Sequence, residues 1–150
     1  MITPLSVHVV LAIIWVGGMF FAYWILRPVF EHLPLPDRIS LWIGILRIFF
    51  SWVWVIVVLQ PVTGYWMVFH EIGGFHQAGL HVIVMHTLGW IMIAIFIYTY
   101  FLLFSRMKRM AREELFPEAG LYMKKIKNMV SVNLALGVIV SILATVGPFL

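Results

Sequence analysis

Four long apolar runs dominate the pattern of hydrophobic and polar positions along the chain. They cover approximately residues 5–26, 48–69, 80–104 and 129–150, and shorter polar stretches separate them. A helix that crosses the hydrocarbon of a bilayer needs roughly 20 mostly apolar residues, so each run is long enough to span. The runs lack the apolar–polar alternation of barrel strands, which leaves helices as the spanning elements. We therefore predict one domain of four transmembrane helices.

The composition agrees with this interpretation and excludes several classes of protein. Hydrophobic residues make up 63% of the 150 residues, charged residues only 11%, and the mean hydropathy is +1.04. Soluble domains are about half apolar and about a quarter charged, so a soluble enzyme, a nucleic-acid binder and a disordered linker are all excluded. The absence of cysteine excludes disulfides, thiolate metal sites and iron–sulfur clusters. The predicted fold class is an all-α, integral membrane, up-down four-helix bundle in contact with lipid.

Basic residues are distributed unevenly among the three segments that connect the predicted helices. The first segment, with the start of the second helix, holds three Lys or Arg residues, the second holds none, and the third holds seven. The positive-inside rule therefore predicts that the first and third segments are cytoplasmic. The net charge of +4 then reflects loops that face anionic lipid, and not a nucleic-acid surface. We expect a multi-pass protein of the inner (plasma) membrane with both termini extracytoplasmic, which means periplasmic in a Gram-negative host.

Histidines inside apolar helices are the strongest functional signal, because ionisable side chains in a membrane span are unfavourable unless they are used. His8 lies near the start of the first helix and His86 near the start of the third. These helices run in the same direction, so the two imidazoles should lie at similar depth. The two helices are also diagonal in an up-down bundle, whose core is where cofactors are held. We predict that His8 and His86 are the axial ligands of a haem b and that Gly89 leaves room for the flat ring. We expect His81, His76 or Tyr65 to meet its propionates.

Two alternatives use the same end of the bundle. His81 lies five positions before His86, about 140° around the helix, so it does not share a ligand set with His86, but it shares a helical face with Met85. Imidazole and thioether ligands together suit copper, particularly Cu(I). The first alternative is thus a copper carrier or importer that uses the side chains of His8, His81, Met85 and His86. In the second alternative the protein is a structural or assembly subunit, and the histidines only pack and donate hydrogen bonds.

Two further features predict contacts between helices. The pair Gly17-Gly18 allows close approach of a neighbouring helix. Asn133 is a polar residue in the fourth apolar run, where we expect it to form a hydrogen bond with another helix.

The sequence resembles the CopD family, bacterial membrane proteins named for copper resistance. The most specific segment runs from His8 through Trp15 to Gly17-Gly18. The other matching segments are residues 26–28, 47–54, 64–67, 81–89 and 126–137. The family resemblance implies copper handling across the inner membrane.

The segment around His8 and Trp15 is also distantly similar to HemJ, a family of four-helix protoporphyrinogen oxidases that bind haem b. This similarity implies a cofactor site next to His8 and adds Trp15 to the candidate cofactor-binding residues. The HemJ family carries a lysine in its third helix, whereas this chain has none between Gly79 and Ser105. Our leading prediction is therefore a b-type haem protein that carries single electrons near the periplasmic face, either as an electron carrier or as a membrane oxidoreductase. The sequence identifies no redox partner and is compatible with a homo-oligomer.

Overall fold

The computed structural model describes residues 2–149, which are helical apart from three short connections at residues 31–34, 73–79 and 113–115. The four long helices are α1 (Thr3–Phe30), α2 (Leu35–Ile72), α3 (Leu80–Arg112) and α4 (Phe116–Phe149). The first three each contain one wider π-helical turn, at Phe21–Leu26, Val68–Ile72 and Thr99–Phe104 respectively. Because the connections are short, consecutive helices run antiparallel, and the topology is up-down.

The helices are longer than the apolar runs from which they were predicted. α2 has 38 residues, which corresponds to roughly 57 Å at 1.5 Å per residue, whereas the hydrocarbon is about 30 Å thick. Helices also include polar segments. The basic segment Ser105–Arg112 is helical and forms the end of α3. Its Met107 is fully buried and holds the segment against the bundle. Apolar runs therefore locate the residues that fit the hydrocarbon, while packing outside it decides where a helix ends.

The bundle has two distinct ends, to which we refer below. The histidine end comprises the connection at residues 73–79, the starts of α1 and α3 and the end of α4. The basic end comprises the connections at residues 31–34 and 113–115 and the helix ends that they join.

The helices pack as two pairs, α1 with α2 and α3 with α4, and α4 also contacts α1 and α2. Gly18 of α1 lies directly against the ring of Phe49 from α2, as predicted for one member of the glycine pair, whereas a Cβ at Gly17 would meet nothing within 4 Å. Gly137 of α4 allows a similar approach, since a Cβ there would lie 2.7 Å from Val16 and 3.3 Å from Met92. Small residues thus bring neighbouring helices together in this membrane fold.

Aromatic rings fill the middle of the bundle between α2 and α3. Phe50 contacts Phe96 and Phe104 edge-on at centroid distances of 5.5 and 5.1 Å. Trp54 contacts Phe96 and Tyr100 in the same way, at 5.1 and 5.3 Å. Edge-to-face packing is favourable for aromatic rings, so this cluster fixes the relative position of the two helices.

One buried polar contact links α3 and α4. The Asn133 side chain is 4% exposed, and its Nδ2 donates a hydrogen bond to the Met92 carbonyl at 3.2 Å. The prediction that Asn133 bonds to another helix is confirmed. Its Oδ1 is buried and has no hydrogen-bond partner among the described residues.

Large apolar side chains are exposed on every helix. Examples, one from each, are Ile13, Ile48, Phe101 and Ile142, with exposed fractions of 64%, 66%, 57% and 55%. Soluble monomers do not expose apolar surface on this scale, so the outer surface is one that lipid covers. The predicted all-α membrane bundle of four helices is confirmed.

Candidate metal site at the histidine end

At the histidine end, a hydrogen bond to α2 holds the side chain of His8. Its Nδ1 lies 2.8 Å from Thr63 Oγ1, and the ring is half-buried. The ring also rests on Gly64, where a Cβ would lie 3.4 Å from His8 Cε1. The Thr63 hydroxyl is the hydrogen-bond partner of the ring nitrogen, and Gly64 beside it leaves room for the ring.

The roles of donor and acceptor in the bond between His8 and Thr63 depend on the tautomer of His8 and on where the Thr63 hydroxyl proton lies. The Thr63 hydroxyl has one proton, and it donates to backbone carbonyls of its own helix, Leu59 at 2.8 Å and Gln60 at 3.1 Å. When the hydroxyl proton is on one of these carbonyls, the Thr63 oxygen accepts a hydrogen bond from His8 Nδ1–H. In the neutral imidazole, Nε2 then has the free lone pair. A ring nitrogen that donates to an oriented oxygen, while the other is unprotonated, is the usual arrangement of a metal-binding histidine.

His86 lies within a group of aromatic rings. Its ring centroid is 5.0 Å from Phe75, 5.2 Å from Tyr65 and 6.4 Å from Trp90. The Tyr65 hydroxyl lies 3.4 Å from His86 Nε2, which is longer than a well-formed hydrogen bond. Phe75 comes from the connection at residues 73–79, which therefore folds over this imidazole.

The two imidazoles contact nearly the same level of α2. Thr63, next to His8, and Tyr65, next to His86, are two residues apart, which is about 3 Å along the helix axis. They lie on either side of Gly64, because successive residues are about 100° apart around a helix. α2 thus brings both histidines to similar depth, and it stands between their contacts. Shared ligation by the two rings stays a prediction.

The other predicted site residues lie in different surroundings. His81 packs against Gly147 near the end of α4 and against Gly79, and these contacts differ from those of His86. Met85, one turn after His81 on α3, is half-buried. A Cβ at Gly89 would meet nothing within 4 Å, so space exists beside it.

Trp15 is 5% exposed and belongs to the central hydrophobic core of the bundle. This burial gives Trp15 a packing role, which neither requires nor excludes contact with a cofactor.

Sequence reasoning missed two residues that shape this end. Thr63 carried a detectable signal, since it is a hydroxyl residue in an apolar run next to a glycine. Phe75 carried none, because it lies in a connection whose fold depends on the rest of the bundle. Within residues 2–149, no three His, Asp or Glu side chains come together as a metal-ion cluster. A metal at this end would therefore need one or two histidines with other ligands.

This fold and this set of residues define a multi-pass membrane protein that holds histidines inside its apolar helices. Residues 43–146, well over half of the chain, match the family model described as CopD, copper resistance protein D. The chain belongs to the CopD family. The matched segment contains Thr63, Tyr65, His81, Met85 and His86, whereas His8 lies before it. No curated protein and no solved structure gives a significant match.

Proposed function

We propose that the chain binds copper as its cargo at the histidine end and moves it through the membrane. The observation that carries the proposal is the 2.8 Å contact between His8 Nδ1 and Thr63 Oγ1 inside an apolar bundle. In the tautomer in which Nδ1 donates to Thr63, His8 Nε2 has a free lone pair for a metal ion. Membership of the copper resistance family supports copper as the metal. Imidazole nitrogen and thioether sulfur are ligands that suit Cu(I), and Met85 is half-buried on α3 at the same end as the histidines.

The surroundings of His86 favour a small ion over a macrocycle. Three aromatic rings lie within 6.4 Å of the His86 ring centroid, and Phe75 is one of them. A porphyrin bound to His86 would have to displace these rings, whereas a single ion needs only a nitrogen lone pair. The predicted haem b is for this reason the second candidate, supported by the matched depth of His8 and His86.

Copper binding by the purified protein tests the proposal. The protein in lipid nanodiscs is titrated with Cu(I) under reducing conditions against a chromophoric competitor, and bound copper is measured by elemental analysis. We expect a stoichiometric amount of copper, which His8→Ala removes. Thr63→Val keeps the imidazole but removes its acceptor, so copper affinity should fall about 10–100-fold, as for other oriented metal ligands.

Thr99→Val is the matched control for Thr63→Val. The Thr99 hydroxyl makes the same bond to a carbonyl of its own helix, Ile95 at 2.8 Å, and within residues 2–149 it forms no hydrogen bond with an imidazole. Copper affinity should stay within about twofold of the wild type. Equal losses in the two variants, or full copper affinity in His8→Ala, would contradict the proposal.

Absorption spectra distinguish the two cofactor hypotheses. If the protein expressed with ample haem shows a Soret band that His8→Ala and His86→Ala each abolish, haem b replaces copper as the ligand. If the triple variant of His8, His81 and His86 retains full copper resistance in cells, the structural-subunit alternative is correct.

A further inference from the structure

A polar cleft opens at the basic end between α1, α2 and α4, away from the histidines. It encloses about 320 Å³. We call it the basic cleft and define it by the side chains of Tyr23, Arg27, Glu31, Arg38, Lys124 and Lys127.

The charges of the basic cleft are unbalanced. Four basic groups face one carboxylate, which leaves a net charge of +3 on the lining. The carboxylate, Glu31, is already paired with Arg27 at 3.1 Å. In the part of the chain that the structure describes, no carboxylate lies within salt-bridge distance of Arg38, Lys124 or Lys127, although Glu31 also attracts the Lys127 ammonium group. Three positive charges held beside one another repel, so the arrangement favours an anion.

Two hydrogen-bond donors on α2 point to the same conclusion. Arg38 Nε is buried and has no hydrogen-bond partner among residues 2–149, and neither has Trp42 Nε1, one turn further along. The Lys127 ammonium group lies 5.9 Å from the Trp42 ring centroid, so it belongs to the same group. Buried donors without partners are rare in folded proteins, and a guanidinium is the donor that best matches a phosphate. These two donors on α2 therefore lack acceptors beside a cleft that already has an excess of positive charge.

The basic cleft continues into a narrow apolar crevice between the same helices. Trp42, Leu46, Ile126 and Val130 line the crevice, and it shares the Arg27 and Lys127 side chains with the cleft. The crevice encloses only about 20 Å³, so an apolar group attached to a charged one in the cleft would lie against the mouth of the crevice and not inside it. Because both parts lie where α1, α2 and α4 leave the hydrocarbon, such a ligand can enter from the adjoining leaflet.

We propose that the basic cleft binds the phosphate group of an anionic phospholipid, with Arg38 and Lys127 as its main contacts. The phosphate accepts hydrogen bonds from the Arg38 guanidinium where it lines the cleft, and it neutralises the excess charge. The glycerol and first methylenes of the lipid lie against the apolar crevice. This site is separate from the copper proposal, because none of its residues contacts a histidine of the histidine end.

Lipid retention by the intact protein tests the proposal. Native mass spectrometry is performed on protein released from nanodiscs of phosphatidylcholine mixed with phosphatidylglycerol. We expect the wild type to retain phosphatidylglycerol in preference to phosphatidylcholine. The double variant Arg38→Gln, Lys127→Gln should bind phosphatidylglycerol about tenfold more weakly, the loss expected when hydrogen bonds to a charged group are removed.

The charge-matched control is Arg106→Gln, Lys125→Gln. Both control residues are exposed at the same end and neither lines the basic cleft. The control variant should retain phosphatidylglycerol within twofold of the wild type. Equal losses in the two double variants would overturn the proposal, since they would show attraction by overall charge.

Two further measurements complete the test. Sodium phosphate is added to the protein in pure phosphatidylcholine nanodiscs at constant ionic strength, and the thermal midpoint is recorded. No shift supports a lipid, whereas a rise that the cleft variant abolishes would overturn lipid as the source. If the cleft variant does not fold, lipid retention by the wild type is the test. Equal retention of phosphatidylglycerol and phosphatidylcholine by the wild type would contradict the proposal.

Discussion

Substitution of Gly64 by leucine tests how His8 is held without changing any polar residue. A Cβ at position 64 would lie 3.4 Å from His8 Cε1 and 3.9 Å from His8 Nδ1, which is ordinary contact. Relative to Gly44→Ala on the same helix, which cancels the higher helix propensity of alanine, Gly64→Ala should therefore change the free energy of unfolding by less than about 0.5 kcal/mol. The further carbons of leucine have to occupy the volume of the imidazole.

The expected loss for Gly64→Leu has two parts. Overpacking of a filled site typically lowers stability by about 1–3 kcal/mol. Displacement of His8 breaks its 2.8 Å bond to Thr63, and such bonds in membrane bundles contribute about 0.6 kcal/mol on average. Leucine also has a higher helix propensity than glycine by up to about 1 kcal/mol, but a control on the same helix cancels this effect. Relative to that control, Gly64→Leu should lower the free energy of unfolding by roughly 2–3 kcal/mol.

Gly44→Leu is the control, because Gly44 lies on α2 and a Cβ there would meet nothing within 4 Å. Unfolding by denaturing detergent in mixed micelles is followed through the fluorescence of the seven tryptophans. In a His8→Ala background the difference between the two leucine variants should shrink by at least about 1 kcal/mol, which is the size expected for residues in contact. Equal effects of Gly64→Leu and Gly44→Leu, or no coupling to His8, would refute the packing described here.

Two further substitutions test helix contacts. Asn133→Leu removes a hydrogen bond to the Met92 carbonyl, which contributes about 0.6 kcal/mol. It also removes a buried oxygen without a partner, which destabilises the fold by about 1–3 kcal/mol. The free energy of unfolding should therefore stay equal or rise. A clear fall would mean that Asn133 Oδ1 has a partner. Gly18→Leu should lower the free energy of unfolding by about 1–3 kcal/mol because Phe49 fills that space, whereas Gly17→Leu should leave it nearly unchanged. The same unfolding assay measures both, and equal effects at the two glycines would contradict the α1–α2 contact.

The parts of the fold that follow from the chain itself were predictable. Four apolar runs and the backbone's need for hydrogen bonds inside lipid leave a helical bundle as the solution. A lone polar residue in an apolar run needs a partner on another helix, which is why Asn133 could be assigned one. The pair Gly17-Gly18 predicted close approach, but only the bundle shows that Gly18 provides it.

The parts that depend on how helices rotate against one another were not predictable. The partner of His8, Thr63, is 55 residues away, and no local pattern links the two positions. Phe75 reaches His86 from a connection that contains Gly73 and Gly74, both with positive φ, and the path of that connection is set by the helices on either side. The basic cleft likewise needs three helices at a definite spacing, although each of its basic residues is visible in the sequence.

The position of α2 explains why the level of His8 and His86 along the bundle could be predicted, whereas a contact between them could not. Depth follows from counting residues along helices that run in the same direction, and the levels of Thr63 and Tyr65 agree with that count. Contact between His8 and His86 depends on which helix lies between them. α2 lies between their contacts, since Thr63 and Tyr65 flank Gly64. The family match begins at residue 43 and so includes this turn of α2 but not His8. The His8–Thr63 bond joins the matched segment to the first helix, as do the contacts of Gly18 with Phe49 and of Val16 with Gly137, and it is the one of these on which the copper proposal depends.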